Sequence, residues 1–447
     1  MLHPWTLVSA LRRPARLLDR VTSAHHKYLD HVCAALTHHP LFFPQGFFSD
    51  GWGDVHIPSI LEKRVQDKDK YYIHPIESLE LTMLPPPRQR KSKDGKAPEQ
   101  LAMIAGRFNT TLRDGDLLLP PESQRAYFEL VLPEAMLDRS FVSINGRGRS
   151  LVILLPGTGE HGCVHRRRNL AEPLARTGIA ALVLEGSFYG QRKPAKQKGS
   201  KLRRVSDLPI LGMTTIEETK SLLLWLSSIV HSTFDTILMQ THRRCVLGGS
   251  MGGLHAAMAA SLCPFDVGVS SWIAPPSAVP AFTHGLLSLS CNWKSLHERD
   301  DLAAIDHLLA NHVKHYSSVG AQDEPASVLS TAKTAKEKQA AMAAQVKKRL
   351  AAFLSITDIE NFPKPRRPDA VIFSQATEDQ YIGENAQQWE TLRTRWPGAQ
   401  FRRVTAGHVS GLLFETESFL ATIHDVLAVL RQPPMTTLSQ QSPQDNP

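Results

Sequence analysis

The chain has 447 residues, 42% hydrophobic and 21% charged; this globular composition excludes collagen-like, disulfide-scaffold and wholly disordered proteins. Its 51 Lys and Arg against 43 Asp and Glu give a net charge of +8. Spread along the chain without long basic blocks, that excess argues only weakly for nucleic acid, and no nucleic-acid partner is expected; an anionic substrate or peripheral membrane contact fits as well.

Residues 1–22 carry Arg12, Arg13, Arg16 and Arg20 with one acid, Asp19, and place Val8, Leu11, Ala15 and Leu18 at helical spacing. This reads as an organelle transit peptide or an amphipathic surface helix, and Pro14 would kink either. Residues 23–82 show no clear period, and Pro85 to Gln100 reads as a charged loop. From Arg125 the pattern sharpens. RAYFELVL, SLVILL, IAALVLE, CVLGG, VGVSSWIA, AVIFSQA and FRRVTA read as strands, several of them continuous apolar runs of the kind buried on both faces of a parallel sheet. Helical stretches separate them at 168–177, 215–230, 253–262, 384–395 and 415–430. The alternation predicts an α/β fold with a mostly parallel sheet flanked by helices. It breaks over 281–367, where an Ala/Lys-rich run predicts a helical cap inserted into a single α/β domain spanning 23–432. The polar tail, 433–447, is expected to be disordered.

Gly248-Gly249-Ser250-Met251-Gly252 fits G-x-S-x-G between a strand and a helix. A serine on such a sharp turn is a candidate nucleophile, and the Met251 N–H at the helix start can face an oxyanion. Base and acid should follow on loops after later strands, which selects His408 and Asp379, with Glu378 the rival acid. Gly157 to Gly162 fits G-x-G-x-x-G with Glu185 ending the next strand, as in a dinucleotide site. In a hydrolase the same turn supplies a second oxyanion N–H, here that of Thr158. Arg166, Arg167, Arg168, Arg192 and Lys193 follow two strand ends, where they could bind a phosphate; a solvated face is the plainer reading. His161, Cys163 and His165 have no second cluster, so no metal site is expected.

Taken together, PGTGEHG with RRR, LVLEGSFYGQRKP, GGSMGGLHAA, TEDQYIG and AGHVSGLLF resemble the alpha/beta-hydrolase domain-containing protein 18 family. The resemblance implies an alpha/beta-hydrolase fold, triad positions at Ser250, Asp379 and His408, a mitochondrial location and phospholipid deacylation, with cardiolipin the implied substrate. The resulting expectation is an intracellular serine esterase that cleaves a lipid acyl ester through an acyl-enzyme and needs no cofactor. The alternatives are a dinucleotide-dependent oxidoreductase built on the Gly157 turn, or a non-catalytic lipid-binding protein of the same fold. The sequence leaves oligomeric state open.

Overall fold

A computed structural model of the chain describes residues 23–38, 45–87, 100–137, 149–226, 241–297, 305–306, 335–383 and 385–433. The expected transit peptide, most of the charged loop, 227–230 and 384 of two expected helices, 434–447 of the polar tail and 298–304 and 307–334 of the expected cap lie outside these residues.

Nine strands form one sheet: β1 (Glu80–Leu84), β2 (Leu101–Asn109), β3 (Arg125–Pro133), β4 (Arg149–Leu155), β5 (Ile179–Leu184), β6 (Thr241–Gly249), β7 (Gly268–Trp272), β8 (Val371–Ala376) and β9 (Gln400–Val404). Their order is β1-β2-β3-β5-β4-β6-β7-β8-β9. Pairing is antiparallel from β1 to β5 and parallel from β5 through β9. Every residue of β5 and β7 is buried, because helices cover both faces of the parallel part. All seven strands expected from Arg125 onward are present, with ends shifted by up to four residues. β1 and β2 were not expected. β1 is largely exposed and carries no in–out alternation, whereas β2 is an apolar run buried at nearly every position, as β5 is, and escaped the sequence reading.

The principal helices are α1 (Ser23–His38), α2 (Ile57–Gln66), α3 (Asp207–Trp225), α4 (Met251–Ser261), α5 (Ala335–Leu354), α6 (Ala386–Arg395), α7 (His408–Leu413) and α8 (Thr416–Val429). α3 begins eight residues before its expected start. Its Thr214, Thr215 and Thr219 hydroxyls donate to carbonyls one turn back, so they are buried satisfied and leave no polar face to read. α5 is the described part of the expected cap helix. It packs on Ala278–Thr283 and Trp293–His297, and its Val346, Leu350, Phe353 and Leu354 join the main core. Phe353 lies 5.8 Å from the Trp52 ring.

Candidate active site

Ser250 links β6 to α4 with φ 54° and ψ −129°, a left-handed conformation that is strained for any residue with a side chain. The turn is held by Ser250 N–H donating to the Trp272 carbonyl at 2.9 Å, and by Gly253 N–H donating to the Ser250 carbonyl at 2.9 Å. Small neighbours are required here. A Cβ on Gly248 would lie 2.3 Å from the Gly252 backbone, and one on Gly252 would lie 2.8 Å from the Leu155 and Pro156 carbonyls.

His408 opens α7 just past β9, and Asp379 lies on the loop after β8. Asp379 Oδ2 is 2.6 Å from His408 Nδ1. Its other oxygen accepts from the N–H groups of Tyr381 at 2.9 Å and Ile382 at 3.1 Å, so the carboxylate is fixed by its own loop. Burial works to lower the His408 pKa; the Asp379 charge and hydrogen bond outweigh it, and the group stands raised above the ordinary imidazole value. Glu378 faces outward to Lys27 Nζ at 3.3 Å.

Ser250 and His408 both line a cavity of about 200 Å³, together with Thr158, Lys201, Leu154, Leu155, Leu247, Leu287, Leu412 and Phe419. They also line a smaller recess floored by Met251, Leu254, Ala281 and Phe282. Ser250 and His408 therefore sit between a large apolar cavity and a small one. From the expected cap, Leu287 borders the large cavity, and no described residue of α5 borders either. Among the described residues, the N–H groups of Met251 and Thr158 donate to no protein acceptor, which leaves them available to an oxyanion.

The basic cluster has a different role from the one expected. Arg166 is buried, and its Nε donates to Glu160 Oε1 at 2.8 Å. Its Nη1 donates to the Leu154 and Leu184 carbonyls at 2.6 and 2.8 Å. Glu160 Oε2 in turn accepts the Gly157 N–H at 3.2 Å. Arg166 is thus an internal brace that ties β4 to β5 and sets the Gly157 turn. Arg192 is buried against Glu218, with contacts of 2.9 and 2.6 Å, and donates to the Ser123 carbonyl at 2.7 Å. Arg167 pairs with Glu129 at 2.6 Å. Arg168 is exposed and Lys193 half-buried, and neither borders the cavity. The phosphate-binding reading of Arg166, Arg167 and Arg192 is therefore corrected: their charges are already matched by buried or half-buried glutamates.

The dinucleotide reading also lacks its groups. Glu160 fills the turn where a pyrophosphate would sit. Glu185 is buried and accepts from Gln191 N–H at 3.2 Å instead of facing a ribose. His161 Nδ1 accepts from Gly190 N–H at 2.9 Å and its Nε2 lies 3.1 Å from Ser200 Oγ. Among the described residues, no group of three or more His, Cys, Asp or Glu is placed to hold a metal ion, and no helix is long and apolar enough to cross a membrane.

Two features of the cavity escaped sequence reasoning. Lys201 is buried, with its ammonium 5.1 Å from the Phe47 ring centroid, and burial pushes its pKa down to about 8. Glu160 and Arg166, which also border the cavity, form a buried ion pair with each other. The second feature is α1, whose Cys33 and Thr37 border the cavity.

The mostly parallel nine-stranded sheet, with helices on both faces and a strand–serine–helix elbow, defines an alpha/beta hydrolase. Solved structures similar to it include an acetyl xylan esterase from Paenibacillus sp. R4, at 12% identity and a TM-score of 0.42, covering 85% of this chain and 97% of that one. The esterase Pf2001 of Pyrococcus furiosus is similar at 14% identity and a TM-score of 0.35, covering 79% of this chain and 91% of that one. Residues 45–429 match the family model for alpha/beta hydrolase domain containing 18, and the chain belongs to that family.

Proposed function

We propose that the protein is a serine esterase that deacylates a phospholipid. The observation that carries the reading is the Ser250 elbow, which shares one cavity with a His408 already bonded to Asp379. Asp379 on Nδ1 leaves Nε2 of His408 as the proton acceptor. Ser250 Oγ attacks the acyl carbonyl, His408 takes its proton, and the N–H groups of Met251 and Thr158 receive the developing oxyanion. Collapse expels the alcohol, protonated by His408. Water activated by the same imidazole then hydrolyses the acyl-enzyme, releasing the fatty acid and free Ser250.

The apolar lining suits a hydrocarbon chain, and Lys201 places a buried ammonium at the cavity wall. Family resemblance points to cardiolipin, which is anionic, and residues 1–22 fit delivery to the mitochondrion. Covalent labelling by a fluorophosphonate, with Ser250→Ala as control, tests the nucleophile. Release of fatty acid from cardiolipin vesicles against phosphatidylcholine vesicles tests the substrate. Labelling of the Ala variant overturns the nucleophile assignment, equal rates on the two vesicles overturn the preference for cardiolipin, and no release from either overturns phospholipid deacylation.

A further inference from the structure

Asp30 sits on α1, ahead of the residues that match the family model. It is fully buried, and its carboxylate accepts three backbone N–H groups: His408 at 2.9 Å, Val409 at 2.9 Å and Gln380 at 3.1 Å. Two of these belong to the turn that carries His408, and the third is the residue after Asp379. One carboxylate therefore ties together the two loops that bear the acid and the base. Beside it, His26 Nδ1 lies 2.9 Å from Ser410 Oγ, so α1 meets α7 at a second point.

We infer that Asp30 is a positioning residue: it holds the Asp379 and His408 loops in a single register and thereby aims the imidazole at Ser250. The inference rests on the serine-esterase reading above. Hydrogen bonds from N–H groups to a carboxylate are about twice as strong as neutral ones, and burial leaves them unscreened by salt. A residue that merely anchored α1 could bond any part of the domain, whereas all three donors here flank the acid or the base. The Asp30 charge also favours the His408 imidazolium, after the larger contribution of Asp379. The other titratable groups facing Asp30 are Cys33 from α1 and Tyr381 from the Asp379 loop.

Asp30→Asn keeps the shape, removes the charge and turns one acceptor into a donor. On a neutral acyl ester, kcat per folded molecule is expected to fall by about 10- to 100-fold, as small misplacements of reacting groups do. KM should stay within about twofold, because Asp30 itself does not border the substrate cavity. The acid limb of the kcat/KM profile should move to lower pH, since His408 loses an anionic neighbour. Asp30→Glu keeps the charge but shifts the carboxylate, so kcat should fall with the limb unmoved. A folded Asp30→Asn with unchanged kcat and limb overturns the inference. Should Asp30→Asn not fold, a folded Asp30→Glu with unchanged kcat overturns it equally, and failure of both to fold marks Asp30 as a stability residue only. Ser250→Ala run alongside separates the two readings: turnover in that variant removes the esterase reading itself, whereas a dead Ser250→Ala beside a fully active Asp30→Asn removes only the role of Asp30.

Discussion

Glu378 and Asp379 are adjacent in the chain, yet their carboxylates face opposite ways: Asp379 lies 2.6 Å from the His408 imidazole, and Glu378 lies 3.3 Å from the Lys27 ammonium at the surface. The backbone enforces the difference, because Tyr381 and Ile382 N–H groups hold Asp379 from within its own loop. Asp379→Asn should therefore lower kcat by about 10⁴-fold, since the amide favours the wrong imidazole tautomer. Glu378→Gln weakens contacts with Lys27, Ser23 and Thr377 away from the imidazole and should stay within about twofold. Steady-state kinetics on one soluble ester decide it; a crippled Glu378→Gln with a mildly affected Asp379→Asn would reverse the assignment.

The elbow makes a second prediction, about stability. Ser250 holds φ at 54°, where a side chain costs on the order of 1–3 kcal/mol. Ser250→Ala keeps that strain, and Ser250→Gly removes it at an unfolded-state entropy cost of about 0.5–1 kcal/mol. Both variants should be inactive, and the Gly variant should melt above the Ala variant in calorimetry. Equal melting temperatures would mean that the strain stored in the elbow is no larger than that entropy cost.

The buried Arg192–Glu218 pair predicts loss of fold with no change of specificity. Arg192→Ala would leave Glu218 charged, fully buried and short of its partner, a loss of about 3–5 kcal/mol. Activity on anionic and neutral substrates should fall together, in proportion to the folded fraction. Replacing both partners with apolar residues of similar volume should recover most of the stability. A selective rise in KM for the anionic substrate would instead place Arg192 at the head group.

These arginines mark where the sequence stopped being legible. A run of three arginines shows charge but not its partners, and Glu160, Glu129 and Glu218 lie 6, 38 and 26 residues from the arginines they meet. Only the tertiary fold pairs them. The strands after Arg125 could be read because burial on both faces writes them as apolar runs. The elbow could be read because close backbone approach leaves room only for glycine around Ser250. α1 could not be read, for the residues it buries are Asp30, Cys33 and Ala34, which form no apolar stripe. Its contribution to the site is a hydrogen-bonding one, and such contacts have no period.

The last prediction concerns pH and separates two of the cavity's titratable groups, His408 and Lys201. His408 must be neutral to accept the Ser250 proton, and its pKa is raised by Asp379 against the pull of burial. Activity on every substrate should therefore fall on the acid side, with a midpoint above the ordinary imidazole value of about 6.5. Lys201 works in the other direction. Burial lowers its pKa to about 8, so the cation is present below that pH and is lost as pH rises through it. A neutral ester does not need the cation, whereas an anionic phospholipid does. The ratio of kcat/KM for anionic over neutral substrate should be high at pH 7 and decline through about pH 8. Lys201→Met should lower the ratio at pH 7 and abolish its pH dependence, leaving the acid limb in place. Because the ammonium is buried, added salt should change this ratio little, unlike a surface contact. A ratio that stays flat across this range in the unmodified enzyme would show that Lys201 does not read the head group.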